Sequence, residues 1–322
     1  MNRSHWWILC LLLVTTMACQ RVEEVPITDW VHCSDFPGAA RCSGTAFTIG
    51  DTAYVCGGRT GWDKDLLRET WQYEATSDRW TRVADFPGKA RVRPVGVCLN
   101  GRGYVGMGSD GSIYPLETLT DWWAYDPTTN TWERRADFPG SAPNDLAYAV
   151  IHDCVYVTMG FSGATRLRET WKYDPVSNAW TRLAECPTTY SAPAFFALGD
   201  ALYVGTGFQS RNVRIFYRYD TRTDVWSQVA AAPQAKMLAN GLSIDGKGYV
   251  LLGRYWHGLQ NGGRLMSDVA EYDPAANAWV NRGDFPGEAR QNAMVFTLKG
   301  RGYVVMGEND SRRLNDVWSF KP

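Results

Sequence analysis

Arg41, Arg91 and Arg290 each stand six residues beyond the aspartate of an Asp-Phe-Pro-Gly turn. The same count in the other copies of the turn reaches Pro143, Ser191 and Met237. Arg93 lies two residues past Arg91, Arg59 directly follows Gly57-Gly58, and Arg254 follows Gly253. A guanidinium is a planar fork that grips a carboxylate or sulfate through two parallel hydrogen bonds, so these arginines suit an anionic ligand. Asp35, Asp85 and Asp284 sit in the same turns as Arg41, Arg91 and Arg290 and offer each of them an internal partner. Ion pairs and ligand sites look alike at this level, and both uses stay open.

A second group of candidates is the run from Arg254 to Arg264, in which Trp256 and His257 add an aromatic plane and an imidazole. Stacking a sugar ring while hydrogen-bonding its hydroxyls needs such a mixture. Shorter variable stretches, Ser109 to Tyr114, Phe208-Gln209 and Glu308-Asn309-Asp310, occupy the corresponding place in other copies. Long loops on a rigid scaffold commonly carry function. By contrast, Glu69, Asp121, Glu169, Asp268 and Asp316 recur two places before an aromatic or its replacement in five copies. Such repetition marks a structural hydrogen-bond acceptor, not a catalytic acid.

The elements that position these residues follow from a repeat. Trp30, Trp80, Trp132, Trp180, Trp226 and Trp279 are spaced 50, 52, 48, 46 and 53 residues apart, the mark of a modular architecture. Each copy runs in one order. An Asp-Phe-Pro-Gly-type turn leads to an apolar strand, then a tight turn such as Asn100-Gly101 or Asp245-Gly246, then a strand with a tyrosine that ends in glycine. A variable loop follows, then a strand with paired aromatics such as Trp171/Tyr173, an Asp-Pro-type turn, and a fourth strand carrying the repeat Trp. Helical periodicity is absent after residue 20, so each copy predicts a four-stranded all-β unit. The last copy stops at Trp318-Ser319-Phe320, and Thr28 to Val31 is a fourth strand without a unit. Joining them closes the ring and removes an open sheet edge.

The glycine-ended second strand, the Trp-x-Tyr-Asp third strand and the Trp of the fourth resemble the kelch family of β-propellers. The resemblance covers residues 27–322. It implies an all-β, six-bladed kelch-type β-propeller with four antiparallel strands per blade, closed by the N-terminal strand completing the last blade. The repeats fall at about 35–84, 85–136, 137–184, 185–230, 231–283 and 284–322 plus 27–34. The double glycine is intact only at Gly57-Gly58, and Ala270 replaces the third-strand Trp of the fifth copy. In such a ring, Arg290, Arg41 and Arg91 belong to consecutive blades, and a basic sector near the channel mouth is expected. Kelch adaptors that bind acidic peptides use arginines at similar loop positions, so the resemblance favours an anionic ligand.

Formal net charge is −1, which draws the chain neither to nucleic acid nor to an anionic membrane. Arg3, an apolar stretch from Trp6 to Val14 and Ala18-Cys19 have the layout of a secretory signal over residues 1–18. Ala18-Cys19 resembles a bacterial lipobox, with Thr16 where leucine is usual; Cys19 would be lipidated and 19–26 would be a tether. Cys33, Cys42, Cys56, Cys98, Cys154 and Cys186 have no metal spacing; Cys33 and Cys42 flank the first turn and can pair or stay free. His32, His152 and His257 fall at different strand and loop positions, unlike the converging histidines of a copper-radical oxidase. There is no Gly-x-Ser-x-Gly elbow, phosphate loop or His-Glu-x-x-His motif.

The expectation is a monomeric, cofactor-free, non-catalytic binding module of the bacterial cell envelope, lipid-anchored at the outer membrane or periplasm. It would recognise an anionic glycan or acidic protein segment through Arg41, Arg59, Arg91, Arg93, Arg254, Trp256, His257, Arg290 and Glu308. The alternative is a sugar-acid mutarotase of the N-acetylneuraminate epimerase type, also a six-bladed kelch propeller. There the arginines would hold the sugar carboxylate while Glu308, Asp110 or His257 moved protons.

Overall fold

The computed structural model of the protein describes residues 24–61, 65–112, 116–141, 143–163, 165–258 and 262–322. The leader and Cys19 lie outside them. Among the described residues every regular element is a strand. Six four-stranded antiparallel sheets follow one another along the chain; in five of them the strands lie side by side in chain order, and the sixth takes its outer strand from the N-terminal end of the described residues. Their first strands are Thr45–Ile49, Val95–Leu99, Ala147–Ile151, Ala194–Leu198, Asn240–Ile244 and Met294–Leu298. These strands neighbour one another around the ring and form the wall of a central channel. The sheets are the blades of a six-bladed β-propeller, numbered 1 to 6 in that order.

The closing strand is Asp29–His32, paired antiparallel with Val317–Lys321 at the outer edge of blade 6, with Trp30 opposite Phe320. Arg301 reinforces the junction with bonds of 2.9 and 3.0 Å to the Asp29 carboxylate. The ring is thus closed by backbone pairing between chain segments nearly the full sequence apart.

The repeat aromatics hold neighbouring blades together. Indole Nε1 of Trp132, Trp180, Trp226 and Trp279 donates to the carbonyls of Ala84, Ala136, Ala184 and Ala230, each in the preceding interblade linker. Phe36, Phe86, Phe138 and Phe285 of the Asp-Phe-Pro-Gly turns pack edge-on against the repeat Trp or third-strand Trp. The core is therefore six interblade seams, with the sequence repeat written into each.

The double glycine has a conformational purpose. Gly57 and Gly58 both have positive φ, 71° and 91°, and a Cβ on Gly58 would stand 2.7 Å from the Cys42 carbonyl oxygen. In the other blades the second glycine persists, while the first becomes Met107, Met159, Thr206, Leu252 or Met306, all still left-handed at φ 53–62°. Each such residue costs about 1–2 kcal/mol relative to a relaxed backbone, so the ladder of the second strand imposes this turn even without glycine.

Candidate functional site

At the mouth of the channel, one residue per blade stands just before the first strand. These are Ser43, Arg93, Asp145, Ala192, Leu238 and Asn292, and all six have left-handed backbones with φ between 49° and 58°. None is glycine. The bend comes from interblade hydrogen bonding: Ser43 N donates to Asn292 O, Arg93 N to Ser43 O and Leu238 N to Ala192 O. A ring of strained residues with side chains at one opening is a feature that clusters at ligand sites.

The ring surrounds a cavity of about 230 Å³ with two unlike walls. Blades 6, 1, 2 and 3 contribute the polar Asn292, Ser43, Thr45, Arg93 and Asp145 among apolar Pro94, Leu146 and Met294. Blades 4 and 5 contribute Ala192, Pro193, Phe195, Leu238 and Ala239, with Asn240 as the single polar side chain among the described residues. Arg93 and Asp145 form an ion pair at 2.5 Å across the seam between blades 2 and 3, with both side chains still partly exposed. Tyr148 forms part of the floor. It reaches from blade 3 over Gly96 of blade 2 to put its hydroxyl 3.2 Å from Thr45 Oγ1 in blade 1, and its ring lies 4.6 Å from that of Phe195. The reach requires Gly96, where a Cβ would come within 2.4 Å of Thr45. Burial raises the Tyr148 pKa above the ordinary tyrosine value, so this hydroxyl is a neutral donor and acceptor.

Behind the ring, Glu308 is almost wholly buried (1% exposed) and accepts from Asn292 Nδ2 at 2.6 Å and Gln291 Nε2 at 3.1 Å. Burial works to raise its pKa but is outweighed by the Asn292 hydrogen bond and the charge of Arg313, 2.8 Å away, so the value is lowered. Glu308 orients the Asn292 amide; it does not face the cavity mouth itself.

Comparison with known proteins agrees with this geometry. The Kelch motif matches residues 40–87 and 144–187. The solved structure of YjhT superposes with a TM-score of 0.75 over 90% of this chain and 97% of that one, at 17% identity. The chain is a kelch-type six-bladed β-propeller. Kelch-like protein 25 of Xenopus tropicalis is 24% identical over 310 residues, 90% of this chain and 49% of its own. N-acetylneuraminate epimerase of Pasteurella multocida is 27% identical over 200 residues, 50% of this chain and 52% of its own. The propeller thus spans about half the length of the curated relatives it matches.

The kelch scaffold places the arginines differently from the expected basic sector. Arg41, Arg91 and Arg290 are buried, at most 1% exposed, and their partners are not the turn aspartates. Arg91 makes two bonds, 2.7 and 2.8 Å, to Asp121, and Arg290 makes two, 2.5 and 2.6 Å, to Asp316. Arg41 meets Glu69 at 2.5 Å. Each guanidinium also lies over the Phe of its own turn, 4.6–4.9 Å from the ring centroid. The recurrent acid before the third-strand aromatic is therefore one half of a lock inside blades 6, 1 and 2. These three arginines do not line the mouth.

The lock extends to a residue that counting from the turn misses. In blade 5 the turn is one residue shorter, so the equivalent of Arg41 is Lys236, which is buried and 2.7 Å from Asp268, not Met237. In blade 4 both members change together: buried Tyr190 takes the place of the cation and Ile215 that of the acid. Blade 3 keeps only the acid; Glu169 accepts from Trp171 Nε1 at 3.0 Å.

The remaining predicted residues divide. Arg93 is at the mouth. Arg59 lies 3.8 Å from Glu308 and bridges backbone to backbone with Cys42. Arg254 is mostly buried and is held by Gln291, Gly262 and Asp310. Trp256 lines a second depression with Arg254, Leu238 and Asp310, its backbone clasped at both ends by the Asn212 amide. His257 is exposed and packs on Tyr255. Asp110 is occupied within its own loop by Ser112 and Glu117, while Ile113, Tyr114 and residues 259–261 are outside the described residues. Cys33 and Cys42 do not pair; the six described cysteines are free thiols. Asp145, Tyr148 and Asn292 went unnoticed because each occurs once, and the repeat highlights only what recurs.

Proposed function

We propose that the protein is a non-catalytic glycan-binding propeller whose site is the channel mouth, with one sugar unit as the ligand seated in it. The observation that carries this reading is the divided wall of the cavity. Sugars present hydroxyls at their edge and C–H groups on their faces. The mouth concentrates amides, hydroxyls and the Arg93–Asp145 pair on one side and apolar Ala192, Pro193 and Leu238 on the other, where Asn240 is the one polar side chain among the described residues. A sugar carboxylate would bind by taking the Arg93 fork in place of Asp145. The secretory-type leader at residues 1–18 and the bacterial origin of the epimerase relatives support a place on the cell envelope.

A second reading is favoured by those relatives and by Asp145. Once displaced from Arg93, the Asp145 carboxylate can take the proton of an anomeric hydroxyl while the ring oxygen takes one from a solvent water and the ring C–O bond breaks; reclosure on the other face returns both protons and gives the other anomer. One NMR experiment separates the readings. N-acetylneuraminate is titrated into wild type, Tyr148→Phe and Asp145→Asn, with line broadening and anomer exchange both recorded. Broadening that grows in Asp145→Asn, where Arg93 is released to the sugar carboxylate, and weakens several-fold in Tyr148→Phe, without faster exchange in either, supports the binding module. Faster exchange abolished by Asp145→Asn supports a mutarotase. If N-acetylneuraminate and neutral hexoses alike leave the spectra unchanged, the mouth is not a sugar site.

A further inference from the structure

The loops between the second and third strands emerge on the same face as the mouth, because each bridges to the residue preceding the strained ring, as Cys42–Arg59, Ser191–Phe208 and Met237–Arg254 do. Their charge is not shared evenly. In blades 3, 4 and 5 these loops carry Arg166, Arg168, Arg211, Arg214 and Arg264, all exposed and none in an ion pair with a described residue. The other described arginines, Arg68 and Arg79 excepted, each lie against a carboxylate. The acids of these three loops are Glu169 and Asp268, held by Trp171 and Lys236. Across the axis, the corresponding loop of blade 2 has Asp110, Glu117 and Asp121 with no Lys or Arg, and that of blade 6 sets Glu308, Asp310 and Asp316 against Arg312 and Arg313. Blades 3 to 5 make the basic, unneutralised part of the face; the rest runs from balanced in the loop of blade 1, where Arg59, Lys64 and Arg68 are matched in number by Asp63, Asp65 and Glu69, to acidic in blade 2.

The basic loops form one strip. Arg166 Nε donates to Ser191 Oγ at 3.1 Å, crossing from blade 3 to blade 4, and Arg168 Nε donates to Cys186 O at 2.7 Å in the turn that enters blade 4. Asn212, next to Arg211, clasps the Trp256 backbone in blade 5. Half-buried Phe161 and Phe208 lie at the base of the first two loops. On this strip the large hydrophobic that is exposed among the described residues is Tyr255, whereas a protein partner is usually gripped by several buried aromatic and aliphatic anchors. We propose that blades 3 to 5 carry a rim site for a carboxylate-bearing polysaccharide, its acid groups paired with these arginines and its sugar faces resting on Phe161 and Phe208. The site stands on the rim loops and is separate from the mouth.

The test is fluorescence anisotropy of a labelled oligogalacturonate with the full chain, in competition with poly-glutamate and with a single-stranded oligonucleotide. Replacing Arg166, Arg168, Arg211 and Arg214 by glutamine together is expected to weaken binding about tenfold or more while leaving the thermal midpoint in place. A control variant with glutamine at the carboxylate-paired arginines Arg82, Arg102, Arg134 and Arg312 removes the same charge elsewhere and should bind as wild type. A neutral hexose, which can enter the mouth but has no acid group for the rim arginines, should not compete, which keeps this result apart from failure of the mouth. Equal loss in the control, stronger competition by poly-glutamate or the oligonucleotide, or no binding by wild type would each overturn the proposal.

Discussion

Blades 6, 1 and 2 and blades 3, 4 and 5 use arginine in opposite ways. In the first group Arg290, Arg41 and Arg91 are sealed inside the blade against Asp316, Glu69 and Asp121. In the second, the place of that arginine is taken by Pro143, Tyr190 or, in blade 5, Lys236, and Arg166, Arg168, Arg211, Arg214 and Arg264 stand on exposed loops. A residue type therefore says little about its role until the position of its acid is known. An arginine two residues before a mouth residue, with an acid two places before the third-strand aromatic, is a lock; an arginine elsewhere in the loop, such as Arg166 or Arg264, is surface even when that acid is present.

The largest test of this contrast is Arg91→Ala. It leaves half-buried Asp121 with the Trp123 indole as its remaining side-chain donor. Removing one member of a buried pair costs about 3–5 kcal/mol, so a loss near the lower end is expected. Chemical denaturation should show that loss; a change below about 1 kcal/mol would mean that the lock is ornamental and the two halves are alike.

Acid should act on the same half. Burial works to raise the Asp121 and Asp316 pKa values, but the hydrogen bonds and charge of Arg91 and Arg290 outweigh it and hold both below the ordinary carboxylate value. A depressed pKa contributes stability that is present above the unfolded value, about 4, and disappears as pH falls through the folded value. Urea midpoints measured from neutral pH downward should therefore drop below about pH 4. Asp121→Asn should be less stable at neutral pH and show a shallower acid slope; an unchanged slope would separate acid sensitivity from the locks.

The other half is held by close backbone approach. Gly241 in blade 5 lies so near blade 4 that a Cβ would fall 2.0 Å from the Phe195 carbonyl oxygen. Gly241→Ala is expected to cost about 1–3 kcal/mol through forced separation of the two strands. A neutral result would show that this seam yields easily, and that the side of the mouth facing Leu238 is adaptable.

Much of this architecture is legible in the chain because it repeats. Six tryptophans, the turn motif, a last copy that lacks its fourth strand and an orphan strand at the other end are enough to predict the blades and the closure through Asp29–His32. The acids before the third-strand aromatics are recognisable as structural for the same reason. The site is harder, because function sits where the repeat is broken. Asp145 and Tyr148 have no counterparts of the same type in other blades, and their meeting with Arg93 and Thr45 depends on ring geometry that no local pattern encodes. Lys236 was hidden by a turn one residue shorter, which displaced the count onto Met237. The partner of Arg91, thirty residues away in Asp121, becomes evident only when the second and third strands fold back on the first.

The mouth ring offers a smaller effect of opposite sign. Leu238 is left-handed at φ 55° and half-buried between the two depressions. Leu238→Gly relieves a backbone cost of about 1–2 kcal/mol and adds back part of it as chain entropy, so a gain of up to about 1 kcal/mol is expected. If the variant is more stable and binds sugar less well, strain at the ring is maintained for the site.

The smallest expected effect is the most discriminating for the two halves. Arg214→Ala removes an exposed guanidinium that has no carboxylate partner among the described residues, and whose loop is anchored instead by its backbone carbonyl to Ala232 N at 2.7 Å. Its stability should stay within about 0.5 kcal/mol of wild type, against several for Arg91→Ala, although both changes delete the same side chain from neighbouring parts of the same repeat. A loss comparable to that of Arg91 would mean that Arg214 has a structural partner and that the basic rim is a second set of locks. A silent change in stability leaves ligand contact as the physical reason for keeping a charged, unpaired side chain at that position.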